Sequence, residues 1–288
     1  MSYNLPHESC YSILSVEHVS AARLCTFYIY QAKRKLEWGY MKFVCFVILI
    51  VLTSQVFSEC RLRVRVAHSI PQYSQDTNGN WQGLGIELIE VLLNEANCTP
   101  DYVVYPWKRS LTQLQEGKVD MMVNLSITAE RKEYLWFIGP QRDETIVLVV
   151  NQYSDFKISS LDDFKALNNK IGVENGAFYG DEFDHKYRTD PAFASLIVQA
   201  VNTDMLINML KVNRIIGFFE DRYSSAYKMK TLAEYKGVKT HSFLVNQGFV
   251  YFGFSKKSVP LKLLARLKKA YESANAAGKF DAVIERYR

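Results

Sequence analysis

The sequence lacks an apolar run long enough to cross a membrane. Its longest run, Phe43 to Val56, falls short of the roughly 20 residues that a transmembrane helix needs. Met41-Lys42 gives this run a basic start, and small residues precede position 59, so we predict a secretory signal peptide at residues 41–58. A membrane anchor is the competing interpretation. Residues 1–40 lie upstream of the usual start of such a signal, and we expect a non-native or disordered extension, with Met41 as the real start.

Cysteine is scarce, and only Cys60 and Cys98 of the five cysteines follow the predicted cleavage site. An even number in an oxidising compartment favours a disulfide. Each of the two lies just before a predicted strand, and two neighbouring parallel strands would begin within disulfide reach of each other. We therefore expect a Cys60–Cys98 bond. Lipidation of Cys60 is not expected, because Glu59 stands where a bacterial lipoprotein signal has a small residue.

Neither a strong charge excess nor an internal repeat is present. Five of the 35 Lys and Arg and three of the 30 Asp and Glu precede residue 59, so the net charge of +5 becomes +3 for the rest. Both signs are interspersed, which argues against a nucleic-acid-binding protein. His68, His185 and His241 show no triad spacing, and the acids from Asp181 to Asp184 are typical of a helix N-terminus. We expect no catalytic residues, no metal and no cofactor.

What the chain does contain is an alternation of strands and helices. The first five elements are a strand at 61–67, a helix at 86–97, a strand at 101–105, a helix at 107–115 and a strand at 120–125. Among the later elements are a long apolar strand at 143–150 and two apolar segments, 242–245 and 248–254, through which the chain returns to the first lobe. The first strand alternates basic and apolar residues, which favours a position near a sheet edge or partly solvated on one face. This order predicts an α/β fold with doubly wound, mostly parallel sheets. We predict two lobes around a cleft: residues 59–144 with 246–288 form lobe 1, and the inserted residues 145–245 form lobe 2.

The clearest functional pattern is the segment from Val123 to Arg131, a buried strand that turns into a short helix. Ser126 and Thr128 supply hydroxyl groups, the helix N-terminus supplies free N–H groups, and Arg131 supplies a planar guanidinium. Together these groups suit a carboxylate. The alternative is an ordinary N-cap beside a solvated arginine. Ligands in such sheets bind beyond the carboxyl ends of the strands, which is where this segment lies.

Several short segments, taken in order, resemble the family 3 solute-binding proteins of ABC importers, the amino-acid type. They are Gly83-Leu-Gly-Ile-Glu87, Leu114-Gln-Glu-Gly-Lys-Val-Asp120, Ser126-Ile-Thr-Ala-Glu-Arg131, Arg214-Ile-Ile-Gly-Phe-Phe-Glu-Asp221 and Gly278-Lys-Phe280. The resemblance covers nearly the whole chain after residue 58. It implies the type II periplasmic-binding-protein fold and a periplasmic monomer. Such a protein captures an amino acid or related carboxylate by lobe closure and delivers it to a membrane permease.

The resemblance also implies roles for individual residues. Arg131 and Ser126 would bind the α-carboxylate of the ligand, and Asp221 its α-ammonium, although Asp221 alternatively caps the helix that follows it. The other expected ligand-binding residues are Asn124, Thr128, Tyr73, Trp81, Trp107, Arg109 and Phe178. The chain departs from the family at residues 176–180, where many members have a hydroxyl pair, and at Asn124, where a small residue is common. These departures leave the identity of the ligand open.

Two other functions stay open as alternatives. An enzyme resembling cyclohexadienyl dehydratase would need a carboxylic acid in the cleft as a proton donor, and Glu144, Glu174 or Glu220 could supply it. Turnover of prephenate or arogenate would distinguish that enzyme from a binding protein. A ligand-sensing partner of a signalling system would use the same cleft.

Overall fold

Two long strands connect two α/β lobes in the computed structural model, which describes residues 60–287. The strands are β1 Cys60–Val66, β2 Ser74–Gln75, β3 Trp81–Gln82, β4 Cys98–Val104, β5 Met121–Leu125, β6 Leu135–Asn151, β7 Ile171–Glu174, β8 Ile197–Ala200, β9 Gly217–Asp221 and β10 Val238–Ser255. The helices are α1 Leu84–Glu95, α2 Trp107–Gln115, α3 Ala129–Tyr134, α4 Asp163–Leu167, α5 Asp181–Thr189, α6 Pro191–Ala194, α7 Thr203–Lys211, α8 Arg222–Thr231, α9 Leu261–Ala276 and α10 Lys279–Glu285, with a 3₁₀-helix at Ala233–Tyr235. The predicted signal peptide and upstream extension lie outside the described residues.

Eight of the strands form one mixed sheet in the order β4-β1-β5-β10-β6-β9-β7-β8. In lobe 1, β1 pairs in parallel with β4 and β5, and in lobe 2, β7 pairs in parallel with β8 and β9. The long strands β6 and β10 pair antiparallel with each other and pass from one lobe to the other. The predicted two-lobed α/β fold with parallel strands in each lobe is therefore confirmed.

β1 lies next to the edge strand β4, and Arg61 is exposed and Arg63 half-buried, as its alternating pattern predicts. Two other details of the sequence-based prediction were wrong. β6 begins at Leu135, whereas the sequence predicted a strand from Asp143. The two apolar segments predicted after residue 241 form one strand, β10, because register shifts at residues 240–246 and 250–252 let it follow β6 around both lobes.

Each lobe has its own apolar core, because its helices bury one stripe against the sheet. In α1, apolar residues recur every three or four positions and the resulting face is buried. Two of the four apolar clusters contain residues of lobe 1 alone, and the other two contain residues of lobe 2 alone. We propose the lobe limits at 144/145 and 245/246 on this basis. No helix within residues 60–287 is both long and apolar enough to span a bilayer.

The predicted disulfide is present. Cys60 and Cys98 lie directly opposite each other in the parallel register of β1 and β4, with their Cα atoms 4.5 Å apart. β4 begins at Cys98 itself, earlier than predicted, so both cysteines are the first residues of their strands. The bond joins the two strands at the end of the sheet opposite the cleft.

Candidate functional site

A cavity of about 350 Å³ lies between the lobes. Most of its lining residues lie at or after the carboxyl ends of parallel strands: β1, β4 and β5 on one side, and β7, β8 and β9 on the other. Arg142, Glu144 and Ile146 of β6 complete the lining. Sheets of this kind place ligand sites at these ends. The cavity therefore occupies the position that the strand order predicts.

Seven of the ten predicted ligand-binding residues line this cavity. They are Tyr73, Trp107, Asn124, Ser126, Arg131, Phe178 and Asp221. The other three do not. Trp81 packs on the lobe 1 core and on the His68 ring, with ring centroids 5.0 Å apart. Thr128 caps α3 by accepting a hydrogen bond from the Arg131 N–H at 3.1 Å, and the exposed Arg109 stacks over the Tyr105 ring at 5.2 Å.

Arg131 is a buried cation at the lobe interface, only 5% exposed. Its Nη1 donates to the Ser126 carbonyl oxygen at 2.9 Å, and its Nη2 donates to the Gly176 carbonyl oxygen at 3.1 Å. Burial lowers the pKa of the guanidinium. Within residues 60–287, Arg131 forms no ion pair, in contrast to Arg142. A buried charge without a partner of opposite sign is costly, so an anionic ligand would compensate it.

Asp221 performs the helix-capping role and also faces the cavity. Its Oδ1 accepts hydrogen bonds from the Ser224 N–H and hydroxyl at 3.1 and 3.2 Å, which caps α8. Its Oδ2 accepts from Nη1 of the buried Arg142 at 3.1 Å. The capping interpretation of Asp221 is therefore confirmed. Arg142 was not anticipated, because the sequence pattern placed it before the start of the strand.

Two further carboxyl groups, Glu144 and Glu174, face the cavity. Burial raises the pKa of each to about 7. The Ser126 hydroxyl donates to Glu144 Oε2 at 3.4 Å, and two neighbouring guanidinium groups partly oppose the effect of burial on Glu144. Among the described residues, no group of three or more His, Cys, Asp or Glu side chains could hold a metal ion.

A buried ion pair forms the lobe 2 wall of the cavity. Lys228 is 1% exposed and Glu220 5% exposed, and the Lys228 ammonium donates a short hydrogen bond to Glu220 Oε1. Lys228 also donates to Thr203 Oγ1 at 2.7 Å, and the Tyr235 hydroxyl donates to Glu220 Oε2 at 3.1 Å. The pair is therefore fully hydrogen-bonded, which is what makes a buried ion pair tolerable.

On the lobe 1 wall, the Arg65 guanidinium lies near two aromatic rings. It is 5.7 Å from the Tyr73 centroid and 5.3 Å from the Trp107 centroid, and its Nε donates to the Tyr105 carbonyl oxygen at 3.0 Å. The Arg65 guanidinium is therefore held by cation–π attraction and one charge-assisted hydrogen bond, and not by a carboxylate of the described residues. An aromatic surface thus lines the cavity beside Arg131.

The Gly176 carbonyl oxygen, in lobe 2, is a bridge between the lobes. It accepts hydrogen bonds from two lobe 1 donors, Trp107 Nε1 and Arg131 Nη2, both at 3.1 Å. Gly176 has φ +82°, and a Cβ there would lie 3.2 Å from Lys108 Cβ of lobe 1. A side chain at this position would therefore press against Lys108 of lobe 1.

We expect Gly176→Ala to weaken ligand binding several-fold, because its Cβ opposes the close approach of Lys108. The left-handed backbone adds a loss of about 1–2 kcal/mol in folding stability. Gly237→Ala is a matched control, since Gly237 has φ +84° and nothing within 4 Å of the added Cβ. Chemical denaturation should give similar stability losses for both variants, and calorimetry should give weaker binding for Gly176→Ala alone. Equal affinities would contradict the role given to this contact.

Comparison with known proteins shows which family the chain resembles. The model for bacterial extracellular solute-binding proteins, family 3, matches residues 62–288. A Neisseria gonorrhoeae protein named probable histidine-binding protein is 24% identical over 226 residues, which are 77% of this chain and 80% of that protein.

Solved structures share the fold at similar identity. An ancestral arginine-binding protein bound to arginine has a TM-score of 0.65 and 24% identity, over 79% of this chain and 97% of that chain. An ancestral amino-acid-binding protein described as a precursor of cyclohexadienyl dehydratase has a TM-score of 0.64 and 22% identity, over 79% of this chain and 94% of that chain. The family match covers both lobes, and the chain therefore belongs to the bacterial extracellular solute-binding proteins, family 3.

Proposed function

We propose that this chain is an exported, monomeric binding protein that captures a free amino acid between its lobes and delivers it to an ABC permease. Arg131 provides the main support, because its buried guanidinium faces the cavity and contacts backbone carbonyls but no carboxylate of residues 60–287. The N–H groups that these two bonds leave free can donate hydrogen bonds to the α-carboxylate of a ligand. The signal peptide at residues 41–58 would direct the protein to the periplasm.

The carboxylates of the cavity favour a ligand that carries an ammonium group in addition to its carboxylate. Asp221 and Glu144 both line the cavity, and the charges of Asp221 and Arg131 both act on Glu144. Burying a zwitterion is tolerable only when both of its charges are paired, since an unmatched end costs several kcal/mol. The names of the related proteins, which refer to histidine and arginine, agree with an amino acid as ligand.

Binding would proceed by closure of the lobes around the ligand. β6 and β10 are the two connections between the lobes, so rotation about them opens and closes the cavity. The hydrogen bonds from Trp107 and Arg131 to Gly176 belong to the closed arrangement. A ligand that contacts both lobes stabilises this arrangement, and the permease would recognise the closed protein.

Thermal-shift screening of residues 59–288 against the twenty L-amino acids tests the proposal. A ligand at a hundredfold excess over Kd should stabilise the protein by about 2.7 kcal/mol. If no amino acid raises the unfolding temperature, the proposal fails.

One observation favours the enzyme resembling cyclohexadienyl dehydratase as a second candidate. Glu144 and Glu174 are carboxyl groups in the cavity whose pKa of about 7 suits a general acid. Incubation with arogenate or prephenate separates the two functions. An enzyme would form an aromatic product, whereas a binding protein would at most give saturable heat without product.

A further inference from the structure

We infer that Glu144 receives the α-ammonium of the bound amino acid, and that protonation of Glu144 makes the cavity accept a carboxylate ligand without an ammonium group. The inference rests on the proposed function, since it assigns a residue and a ligand class within the same cavity. The family resemblance gives the ammonium to Asp221, but the contacts of the two carboxylates favour Glu144.

Both oxygens of Asp221 are already engaged. Oδ1 accepts two hydrogen bonds from Ser224, and Oδ2 accepts one from Arg142. The Arg142 guanidinium also compensates the negative charge of Asp221, at an N–O distance of 3.1 Å. An ammonium that approached Asp221 would compete with a buried cation already in place. Asp221 is therefore better suited to holding Arg142 and α8 than to binding the ligand.

Glu144 has the opposite properties. Its one hydrogen bond within residues 60–287 is the 3.4 Å contact from the Ser126 hydroxyl to Oε2, and it forms no ion pair there. Because it lines the cavity, its remaining acceptor positions are available to a ligand. A carboxylate has about four lone-pair positions, and an ammonium is a strong donor to them.

Ser126 is hydrogen-bonded to both Glu144 and Arg131. The Ser126 carbonyl oxygen accepts from Arg131 at 2.9 Å, and its hydroxyl donates to Glu144. Ser126 thus contacts both Arg131, the predicted carboxylate-binding cation, and Glu144, the carboxylate without a charge partner within residues 60–287. In an α-amino acid, a single carbon separates the carboxylate from the ammonium. A ligand carboxylate on Arg131 consequently brings its ammonium close to Glu144.

The charge of the surroundings then depends on Glu144. The charged groups that act on it are Arg142 on its own strand, Asp221 on β9 and Arg131 on α3. With Glu144 ionised, these four groups sum to zero, which matches a zwitterion. With Glu144 protonated, they sum to +1, which matches a carboxylate that lacks an ammonium. The balance of charge in a buried site strongly affects which ligand it accepts.

Glu144 changes between its ionised and protonated forms in an accessible pH range, because burial raises its pKa to about 7. Amino acid binding needs the ionised form, so affinity should fall as the pH drops below 7, by roughly thirtyfold between pH 8 and pH 5.5. The affinity of the analogue without an amino group should change in the opposite direction. Glu174 also has a pKa of about 7, so a variant of Glu144 is needed to separate the two.

Isothermal titration calorimetry at both pH values tests the inference with wild type, Glu144→Gln and Asp221→Asn. The probes are each L-amino acid that binds wild type and the analogue with hydrogen in place of its amino group, such as 5-guanidinopentanoate for arginine. Glu144→Gln imitates the protonated acid. It should bind the amino acid at least about tenfold more weakly at pH 8, and bind the analogue at both pH values as wild type does at pH 5.5.

Glu144→Asp keeps the charge and should restore part of the affinity, which separates loss of charge from damage to the fold. The inference is overturned if Glu144→Gln binds amino acids like wild type, or if Asp221→Asn alone removes the preference for the amino acid over its analogue. If no amino acid binds wild type, the proposed function falls and the assignment of Glu144 falls with it.

Discussion

Arg131→Met is expected to reduce amino acid affinity by at least about a hundredfold, which corresponds to roughly 2.8 kcal/mol. The guanidinium is the cation we assign to the ligand carboxylate, and charge-assisted bonds to such a group are about twice as strong as neutral ones. Methionine keeps an unbranched chain in the buried position and removes the charge. Calorimetric titration with the amino acids identified by the thermal-shift screen measures the loss.

Arg131→Met should change the folding stability of the unliganded protein much less than it changes ligand affinity. Removing a buried cation without a carboxylate partner relieves an uncompensated charge, while the Ser126 and Gly176 carbonyl oxygens each lose a hydrogen bond. These effects oppose each other, so the free energy of unfolding without ligand should change by no more than about 1–2 kcal/mol. A large loss of affinity with a small change in stability is typical of a binding residue.

Arg109→Met is the matched control for Arg131→Met. It makes the same chemical change on α2 of lobe 1, at an exposed cation that stacks on Tyr105 outside the cavity. Its affinity should equal that of wild type. If Arg131→Met binds as tightly as Arg109→Met, the carboxylate is not held by Arg131 and the proposed site is wrong.

The sequence predicted the parts of the site that follow directly from strand ends. Ser126 and Arg131 come just after β5, and Asp221 ends β9, so the order of elements was enough to place them at strand ends that face the cleft, one set in each lobe. Local patterns also indicated most helices, because capping residues and apolar spacing act within a few turns. The short helix α6 was missed, since its four residues are too few for a periodic pattern.

Groups that depend on distant contacts could not be predicted in the same way. Arg65 reads as a solvated residue of an alternating strand, but β1 lies between β4 and β5, and residues of the β4–α2 loop cover it. Arg142 is buried because β10 extends the pairing of β6 past it, with Val250 opposite. Trp81 is aromatic and lies in the sequence near residues that line the cavity, yet its side chain packs on the lobe 1 core. Contacts between residues far apart in the sequence, either strand pairing or core packing, decide each of these positions.

Lys228→Met is expected to lower the free energy of unfolding by about 3–5 kcal/mol near pH 8, because it leaves Glu220 buried without its cation. Burial already raises the pKa of Glu220 in the wild type, and Lys228 opposes that rise. Without Lys228 the pKa will rise further. An acid whose pKa is raised in the folded state costs stability as the pH increases through that range, so the deficit should be smaller at pH 5 than at pH 8.

The double variant Lys228→Met/Glu220→Gln separates loss of the charge partner from loss of packing. It removes both charges, so most of the stability lost in the single variant should return, and the extra loss at pH 8 should disappear. Urea denaturation of wild type, the single variant and the double variant at pH 5 and pH 8 gives the six free energies needed. A single variant that loses less than about 1 kcal/mol, or a double variant no more stable than the single one, would contradict the pairing. Because Lys228 and Glu220 both line the cavity, such a result would also change the charges available to a ligand on the lobe 2 side.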